Sequence, residues 1–355
     1  MKVLVGLSGG VDSAVVAYLM KQAGHDVIAA TMSVWDKETD FSKMTNAKGC
    51  FSPHTEQDIR AAKEICDILK IPYHIIDCSE TYKKTVLADF KNEYLSGRTP
   101  NPCVWCNTKI KFQALPDAVK QSGISFDKFA TGHYVRLGLN EQKNRYCLYR
   151  GKDAKKDQSY FLYRLSQEQL SNVLFPLGDK TKSEIREIAR SAGLPVSDKQ
   201  DSQDFYSGDI NDILQTKPKT GKFVLKDGTV MGTHNGFWNY TIGQRKGLGI
   251  SAPAPLYVLG FDKDENNVIV GFEDENVCHG LTASSLCWSA IEPPNEPFSA
   301  LAKIRSSQPP TPVLVTPVSN DEIKIDFELN QRGIASGQSV VLYDDDLLIG
   351  GGIIR

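Results

Sequence analysis

Long apolar runs are missing from this chain of 355 residues. No stretch of about 18 or more apolar residues occurs, so no membrane-spanning helix is expected. The opening MKVLVGLSGG carries an apolar run too short for a secretory signal and meets a Gly-Gly turn, so a cytoplasmic location is expected. Strong charge of either sign is also missing. There are 41 Lys and Arg against 43 Asp and Glu, a formal net charge of −2. That balance excludes wholesale electrostatic capture of nucleic acid and leaves such binding to a local patch. Cysteine is sparse, with 8 residues. In a chain of this length they do not make a disulfide framework, which leaves reduced thiols, metal ligation or catalysis. Repeats, low-complexity tracts and long flexible linkers are absent as well.

What is present is a globular composition, 41% hydrophobic and 24% charged, long enough for two or three domains. KVLVGL, DVIAATMSV, YHIIDC and FDKFATGHYV read as strands. SAVVAYLMKQAG, QDIRAAKEICDILK and YKKTVLADFKNEYLSG carry apolar spacing near 3.6 and read as helices. This βαβα order predicts an α/β fold with a parallel sheet covered on both faces, and a ligand site beyond the carboxyl ends of its strands. From about residue 200, Asp-Gly and Asn-Gly pairs separate short alternating runs, which are hairpin signals. The expected division is an α/β domain over 1–200, a small mostly-β domain over 201–276 and a C-terminal β-barrel over 277–355.

The segment VGLSGGVDSAVV follows the first strand and opens the first helix. Gly9 and Gly10 let the backbone turn sharply and approach a ligand. The helix N-terminus offers free N–H groups and a positive dipole end. Ser8 and Ser13 add hydroxyls, and Asp12 could hold Mg²⁺ beside bound phosphates. Neither GxxxxGK[ST] nor GxGxxG is present, so a lysine-bearing P-loop and a dinucleotide fingerprint are both excluded.

SGGVDS resembles the pyrophosphate loop of the N-type ATP pyrophosphatases, which cleave ATP to AMP and pyrophosphate and adenylate a substrate oxygen. GRTPNPCVWCNTKIKF, ATGHYVR, KDQSYFLYRL, YTIGQRKGLG, KIRSSQ and GQSVVLYD follow in that order. Together they resemble the tRNA-specific 2-thiouridylases, which replace the 2-oxygen of the wobble uridine with sulfur. The resemblance implies an ATP-pyrophosphatase domain ahead of the two β segments. It implies that Gly6, Leu7, Ser8, Gly9, Gly10, Val11, Asp12 and Ser13 form the ATP loop, that Met32 packs on adenine and that Gly132 meets the nucleotide. Asn101, Pro102 and Cys103 match the segment that meets the target base. His133, Lys156, Asp157, Gln158, Arg305, Ser306 and Gln338 match tRNA contacts. The implied partners are a tRNA with a wobble uridine and a sulfur donor, either sulfide or a persulfide-carrying protein. Residues 141–200 supply a modest local excess of basic charge, twelve Lys and Arg against eight Asp and Glu. A different ATP pyrophosphatase-type synthetase and a non-catalytic tRNA- or ATP-binding paralogue stay open as other readings.

Within RTPNPCVWCNTKIKF, Cys106 matches the family's catalytic cysteine, with Lys109 and Lys111 nearby to favour a thiolate. The family's second cysteine would stand where this chain has Tyr206, and no cysteine lies between Cys147 and Cys278. Tyrosine cannot carry a persulfide. Cys103 stands where many members have Asp, which creates a CxxC. Four uses of that pair stay open. They are a [4Fe–4S] cluster held by Cys50, Cys103 and Cys106, a zinc site, a redox pair, and unligated thiols. The cluster is the expectation. Its model is related tRNA sulfurtransferases, which hold a cluster by three cysteines. Cys66, Cys78, Cys147, Cys278 and Cys287 are expected in the core.

Overall fold

Val3, Leu4 and Val5 of β1 (Lys2–Gly6) are fully buried, as an unbroken apolar run in a central parallel strand requires. The computed structural model describes residues 1–35, 55–197 and 205–355. β1 pairs in parallel with β2 (Asp26–Ser33) on one side and β4 (Lys128–Ala130) on the other. β3 (Tyr73–Asp77) and β7 (Val173–Leu174) extend the sheet to the order β3-β2-β1-β4-β7. The order reverses between β1 and β4, so the loops leaving those two strands lie side by side at the carboxyl edge. α1 (Val11–Gln22) buries Val11, Ala14, Val15, Val16 and Ala17 against the sheet. α2 (Thr55–Leu69) buries Ala62, Ile65, Cys66 and Leu69, one stripe at helical spacing.

The chain divides into two compact units. The first comprises Met1–Val86, Cys103–Gly208 and Asp346–Ile349; the second comprises Leu87–Pro102, Asp209–Asp345 and Gly350–Arg355. Leu87–Pro102 falls inside the expected α/β domain by sequence, yet it belongs to the second unit. The reason is its bonding. Thr99 N–H donates to the Ser336 carbonyl at 2.7 Å, and the Gln338 side-chain amide donates to the carbonyls of Thr99 and Pro100 at 3.3 and 2.7 Å.

In the first unit, the hairpin β5 (Val135–Asn140) and β6 (Arg145–Arg150) is joined by the late residues Asp346–Ile349. Arg150 N–H donates to the Asp346 carbonyl at 2.8 Å, Arg136 pairs with the Asp346 carboxylate, and Leu347 pairs with Tyr149. The second unit holds a four-stranded sheet of β8 (Gly221–Val224), β9 (Val230–His234), β10 (Tyr257–Asp262) and β11 (Asn267–Gly271). It also holds the antiparallel strands β12 (Val277–Trp288), β13 (Phe298–Lys303), β14 (Thr311–Ser319), β15 (Glu322–Arg332) and β16 (Ser339–Asp344). β12 pairs with both β15 and the late residues of β17 (Leu347–Ile354), which closes the barrel expected at the C-terminus. No helix among the described residues is long and apolar enough to cross a membrane.

Candidate functional site

The loop between β1 and α1 is held at both ends. Leu7 N–H donates to the Ala30 carbonyl at 2.9 Å, and the Thr31 hydroxyl donates to the Leu7 carbonyl at 2.5 Å. Gly9 has φ +71°, and a Cβ there would stand 2.3 Å from the Asp58 carbonyl oxygen, so both conformation and space demand glycine. Ser13 Oγ accepts from Ser8 N–H at 3.1 Å, lies 3.2 Å from Ser8 Oγ and donates to the Gly10 carbonyl at 3.1 Å. Leu7 and Val11 are buried and fix the turn, while Gly6 ends the strand. Gly10 stands at the helix N-cap in extended conformation with no side chain over the N-terminus.

Asp12 sits in the first turn of α1 and is gripped by residues far away in sequence. Lys182 Nζ lies 2.8 Å from both carboxylate oxygens, and the Tyr134 hydroxyl donates to Oδ1 at 2.7 Å. Lys182 begins the helix Lys182–Ser191. A Thr181–Glu184 capping box fixes that helix start, and the Lys182 N–H donates to Asp153 Oδ2 at 3.0 Å. The Asp12 carboxylate therefore already has a cation, so it does not fit Mg²⁺ unless Lys182 withdraws. Lys182, Tyr134 and Asp153 did not stand out in the sequence. The one local signal is the string TKSE, a capping box that puts a lysine at a helix start.

Tyr134 is itself positioned by Gln158, whose Oε1 accepts from Tyr134 N–H at 3.0 Å and whose N–H donates to the Tyr134 carbonyl at 3.1 Å. Asp157 is buried. Its carboxylate accepts from the N–H groups of Gly151 and Ser159 at 3.1 Å each and from the Ser159 hydroxyl at 3.0 Å. Asp157 and Gln158 thus brace the loop in this structure, and the half-buried Lys156 sits beside them. Gly132 lets the β4 loop close on α1, since a Cβ would stand 3.0 Å from Asp12 Cβ. His133 is buried, with Thr131 Oγ1 2.8 Å from Nδ1 and the Phe112 and Phe175 rings packed on it. Burial, and then the charge of Lys111, hold its pKa well below the ordinary histidine value, so the ring is neutral at pH 7. Met32, at the carboxyl end of β2, is half-buried.

The CxxC lies on a helix after all. The short helix Pro102–Trp105 runs into a widened π-helical stretch, Cys106–Ala114. The loop ending at Asn101, not a strand, precedes it. Cys103, Trp105 and Cys106 are half-buried and Lys109 is exposed, whereas Val104, Asn107 and Thr108 are buried. Among the described residues, no group of three or more His, Cys, Asp or Glu side chains that could hold a metal comes together. Cys50, the third expected ligand, lies outside the described residues. Burial, and then neighbouring carboxylates, push the thiol of Cys66 up to about 12 and that of Cys78 up to about 11, so both are inert core thiols. Cys147 is buried too, but Cys278 and Cys287 in β12 are only half-buried. Cys78 closes β3 at the start of the next helix and is not within the strand.

Three family models match the chain. The tRNA methyl transferase HUP domain covers residues 1–206, the tRNA methyl transferase PRC-barrel domain 209–272 and the Aminomethyltransferase beta-barrel domain 278–354. The tRNA-specific 2-thiouridylase MnmA of Endomicrobium trichonymphae is 49% identical over 100% of this chain and 99% of its own length. The chain belongs to the tRNA-specific 2-thiouridylase family. MnmA 2 of Clostridium tetani (strain Massachusetts / E88) is 44% identical over 100% of this chain and 98% of its own. A solved 4-thiouridine synthetase–RNA complex with bound ATP matches 61% of this chain and 46% of that one at 15% identity. Its TM-score of 0.36 is too low to carry weight.

The family's remaining matched residues lie in the second unit, and part of the set comes together there. Asn101 and Pro102 are buried, next to the two backbone carbonyls that Gln338 holds. Arg305 donates to the Gly333 carbonyl at 2.6 Å, and Ser306 beside it is half-buried. Tyr206, where the resemblance leads one to expect the second cysteine, is half-buried in the first unit. Its ring lies over Gly208, where a Cβ would stand 2.3 Å from the hydroxyl oxygen. The Asp201–Ser202 landmark lies outside the described residues.

Proposed function

We propose that this chain is an ATP-dependent tRNA uridine 2-sulfurtransferase. The uridine 2-oxygen attacks the α-phosphorus of ATP, and pyrophosphate leaves. A sulfur nucleophile then attacks C2, the C2–S bond forms, the C2–O bond breaks and AMP leaves. The observation that carries this reading is the arrangement around Asp12. A glycine turn, a helix N-terminus and the Lys182 amine converge on one cradle. Together they supply fixed positive charge where a triphosphate would lose pyrophosphate. Lys182 is paired with Asp12 and would turn to the phosphates, while Mg²⁺ would arrive bound to the nucleotide. Tyr134 and Gln158 keep Asp12 in place while the lysine moves.

Cys106 stands on the outward side of its helix and is assigned sulfur delivery, with Cys103 one turn earlier. The [4Fe–4S] reading of Cys50, Cys103 and Cys106 is tested by iron and sulfide assay after anaerobic purification. Iron-free protein that still thiolates tRNA with a persulfide donor would replace it with a persulfide formed on Cys106 itself, whose outer sulfur attacks C2 and whose S–S bond a second thiol then breaks, leaving a disulfide on Cys106 and free 2-thiouridine. The residues matched to tRNA contacts are proposed to meet the RNA in each unit separately, with Lys156 supplying charge in the first and Arg305 in the second. Asp157 and Gln158 hold the loop of Lys156, and Gln338 holds the Thr99–Pro100 segment of the second unit. The deciding assay is ATP–pyrophosphate exchange with and without tRNA, followed by nucleoside analysis for 2-thiouridine. Exchange that requires tRNA, with 2-thiouridine formed on adding sulfide or a persulfide donor, is expected. Exchange with no thiolated nucleoside under either donor would point to another adenylating synthetase. No exchange at all would point to a binding protein.

A further inference from the structure

Burial along the turn Cys103–Lys109 separates two faces. Val104, Asn107 and Thr108 point inward, with the Thr108 hydroxyl donating to the Val104 carbonyl at 2.9 Å. Trp105, Cys106 and Lys109 are left on the accessible side, the last of them exposed. An indole placed there forgoes much of the burial that makes tryptophan useful in a core. Arg164 approaches it from a different element. Its guanidinium carbon lies 4.9 Å from the centre of the Trp105 ring, and its Nη1 donates to the Tyr163 hydroxyl at 3.4 Å. Arg164 is itself half-buried, and Tyr163 beneath it is fully buried, so the arginine is anchored on the core. The result is a cationic aromatic surface next to the thiol assigned to sulfur delivery, with Lys109 one helical turn beyond the indole.

Nothing in ATP use or sulfur transfer requires an indole capped by a guanidinium. A single-stranded nucleic acid does. Unpaired bases are held by stacking on aromatic rings and on guanidinium planes, while lysines take the adjoining phosphates. We propose that Trp105 and Arg164 form a stacking platform for the nucleotide that adjoins the target uridine in the RNA, with Lys109 on its phosphate. The platform splays the flanking base aside so that the target C2 can reach Cys106. This rests on the uridine 2-sulfurtransferase reading above. The ligand class is an unpaired nucleotide in an RNA loop, and the Arg164 guanidinium on the ring, with Lys109 four residues further along the helix, selects the RNA over a neutral apolar peptide.

The test pairs protein and RNA changes in the full-length chain. Binding of an anticodon stem-loop RNA is measured for wild type, Trp105→Phe, Trp105→Ala and Arg164→Gln. Each is measured with the intact RNA and with RNAs abasic at the nucleotide before or after the wobble uridine. Thermal melting and ATP affinity report whether each variant keeps its fold. Trp105→Ala should weaken the intact RNA about 5- to 140-fold, the range for one lost base stack. Trp105→Phe should recover most of that loss. Against the RNA abasic at the platform position, Trp105→Ala should cost nothing further, and one of the two flanking positions should show this coupling. A folded Trp105→Ala that binds every RNA like wild type overturns the platform. So does a loss that is the same for intact and both abasic RNAs, which would make the stack a brace for the helix. If Trp105→Ala spares RNA binding but slows only the reaction with a persulfide-carrying protein, the face docks the donor and the RNA proposal is wrong. Failure of the wild type to make 2-thiouridine at all would sink the enzymatic reading instead, a result that these binding measurements do not share.

Discussion

The turn at Ser8–Ser13 and the turn at Cys103–Lys109 carry the two halves of the proposed chemistry, and they are built in opposite ways. At the first, the polar side chains are already engaged. Asp12 is held by Tyr134 and Lys182, 122 and 170 residues away in sequence. Ser13 is held within the turn. At the second, the reactive side chains lie toward the accessible face while the buried ones fasten the helix from beneath. The difference follows from what each half must do. Developing phosphate charge is best met by groups already fixed in place, as the glycine turn and the helix N-terminus are, which leaves Lys182 alone to turn from Asp12. Sulfur has to arrive from outside and reach a carbon in a macromolecule, which a closed site would prevent.

The sharpest way to break this contrast is at the open turn. Cys106→Ser should lower tRNA thiolation by more than about 10³-fold. Tenfold or smaller losses in tRNA-dependent ATP–pyrophosphate exchange would accompany it, because the loop is untouched. Loss of both activities together would mean that the two halves are not separable.

Next comes the closed turn. Lys182→Met should cut exchange about 10²- to 10³-fold, as for loss of one preorganised charge contact. It should also leave Asp12 with only Tyr134. Exchange within about twofold of wild type would show that the cradle does not use the lysine. A milder change follows from Tyr134→Phe, which removes one hydrogen bond to a carboxylate. About tenfold lower exchange is expected, with tRNA affinity unchanged. Equal losses in tRNA binding would place Tyr134 on the RNA side of the contrast.

The smallest effect lies outside both turns. Asp89 Oδ2 in the second unit is buried and has no hydrogen-bond partner among the described residues. Burial, and then the charge of Glu93, raise its pKa from the ordinary 3.8 to about 6, opposed by Arg98. The folded state therefore holds a proton that the unfolded chain has released, and stability falls as pH rises from about 4 through 6 before levelling off. Asp89→Asn should raise stability by about 1 kcal/mol at pH 8, a figure discounted for partial solvation, and the gain should fade toward pH 4. Urea denaturation at the two pH values measures it; a gain independent of pH would rule out ionisation as the cause.

The closed turn was legible because its conformation is written locally. Gly9, Gly10, Ser8 and Ser13 stand consecutively, and a parallel strand before a helix places them. Its cation was not legible, because Lys182 meets Asp12 only after the sheet has formed, and a capping-box lysine looks like any surface residue. The parallel sheet and the C-terminal barrel could be read from apolar runs and turn pairs. The membership of Leu87–Pro102 could not, because it is set by Gln338 near the far end of the chain. The helix carrying Cys103 and Cys106 was not legible, because prolines stand before it and its inward face shows only in the burial of Val104 and Thr108.

The threading of the two units bears on how the protein is made. The chain passes between them at residues 86–87, 102–103, 208–209, 345–346 and 349–350. Residues Asp346–Ile349 complete the edge of the β5–β6 hairpin, and they are synthesised long after it. The nucleotide unit therefore cannot mature as an early, self-sufficient domain during synthesis, the usual order for a multidomain chain. Leu87–Pro102 must likewise wait for Gln338. A chain stopped at residue 208 would hold the β5–β6 hairpin without Asp346–Ile349 on its edge and the Thr99–Pro100 carbonyls without Gln338.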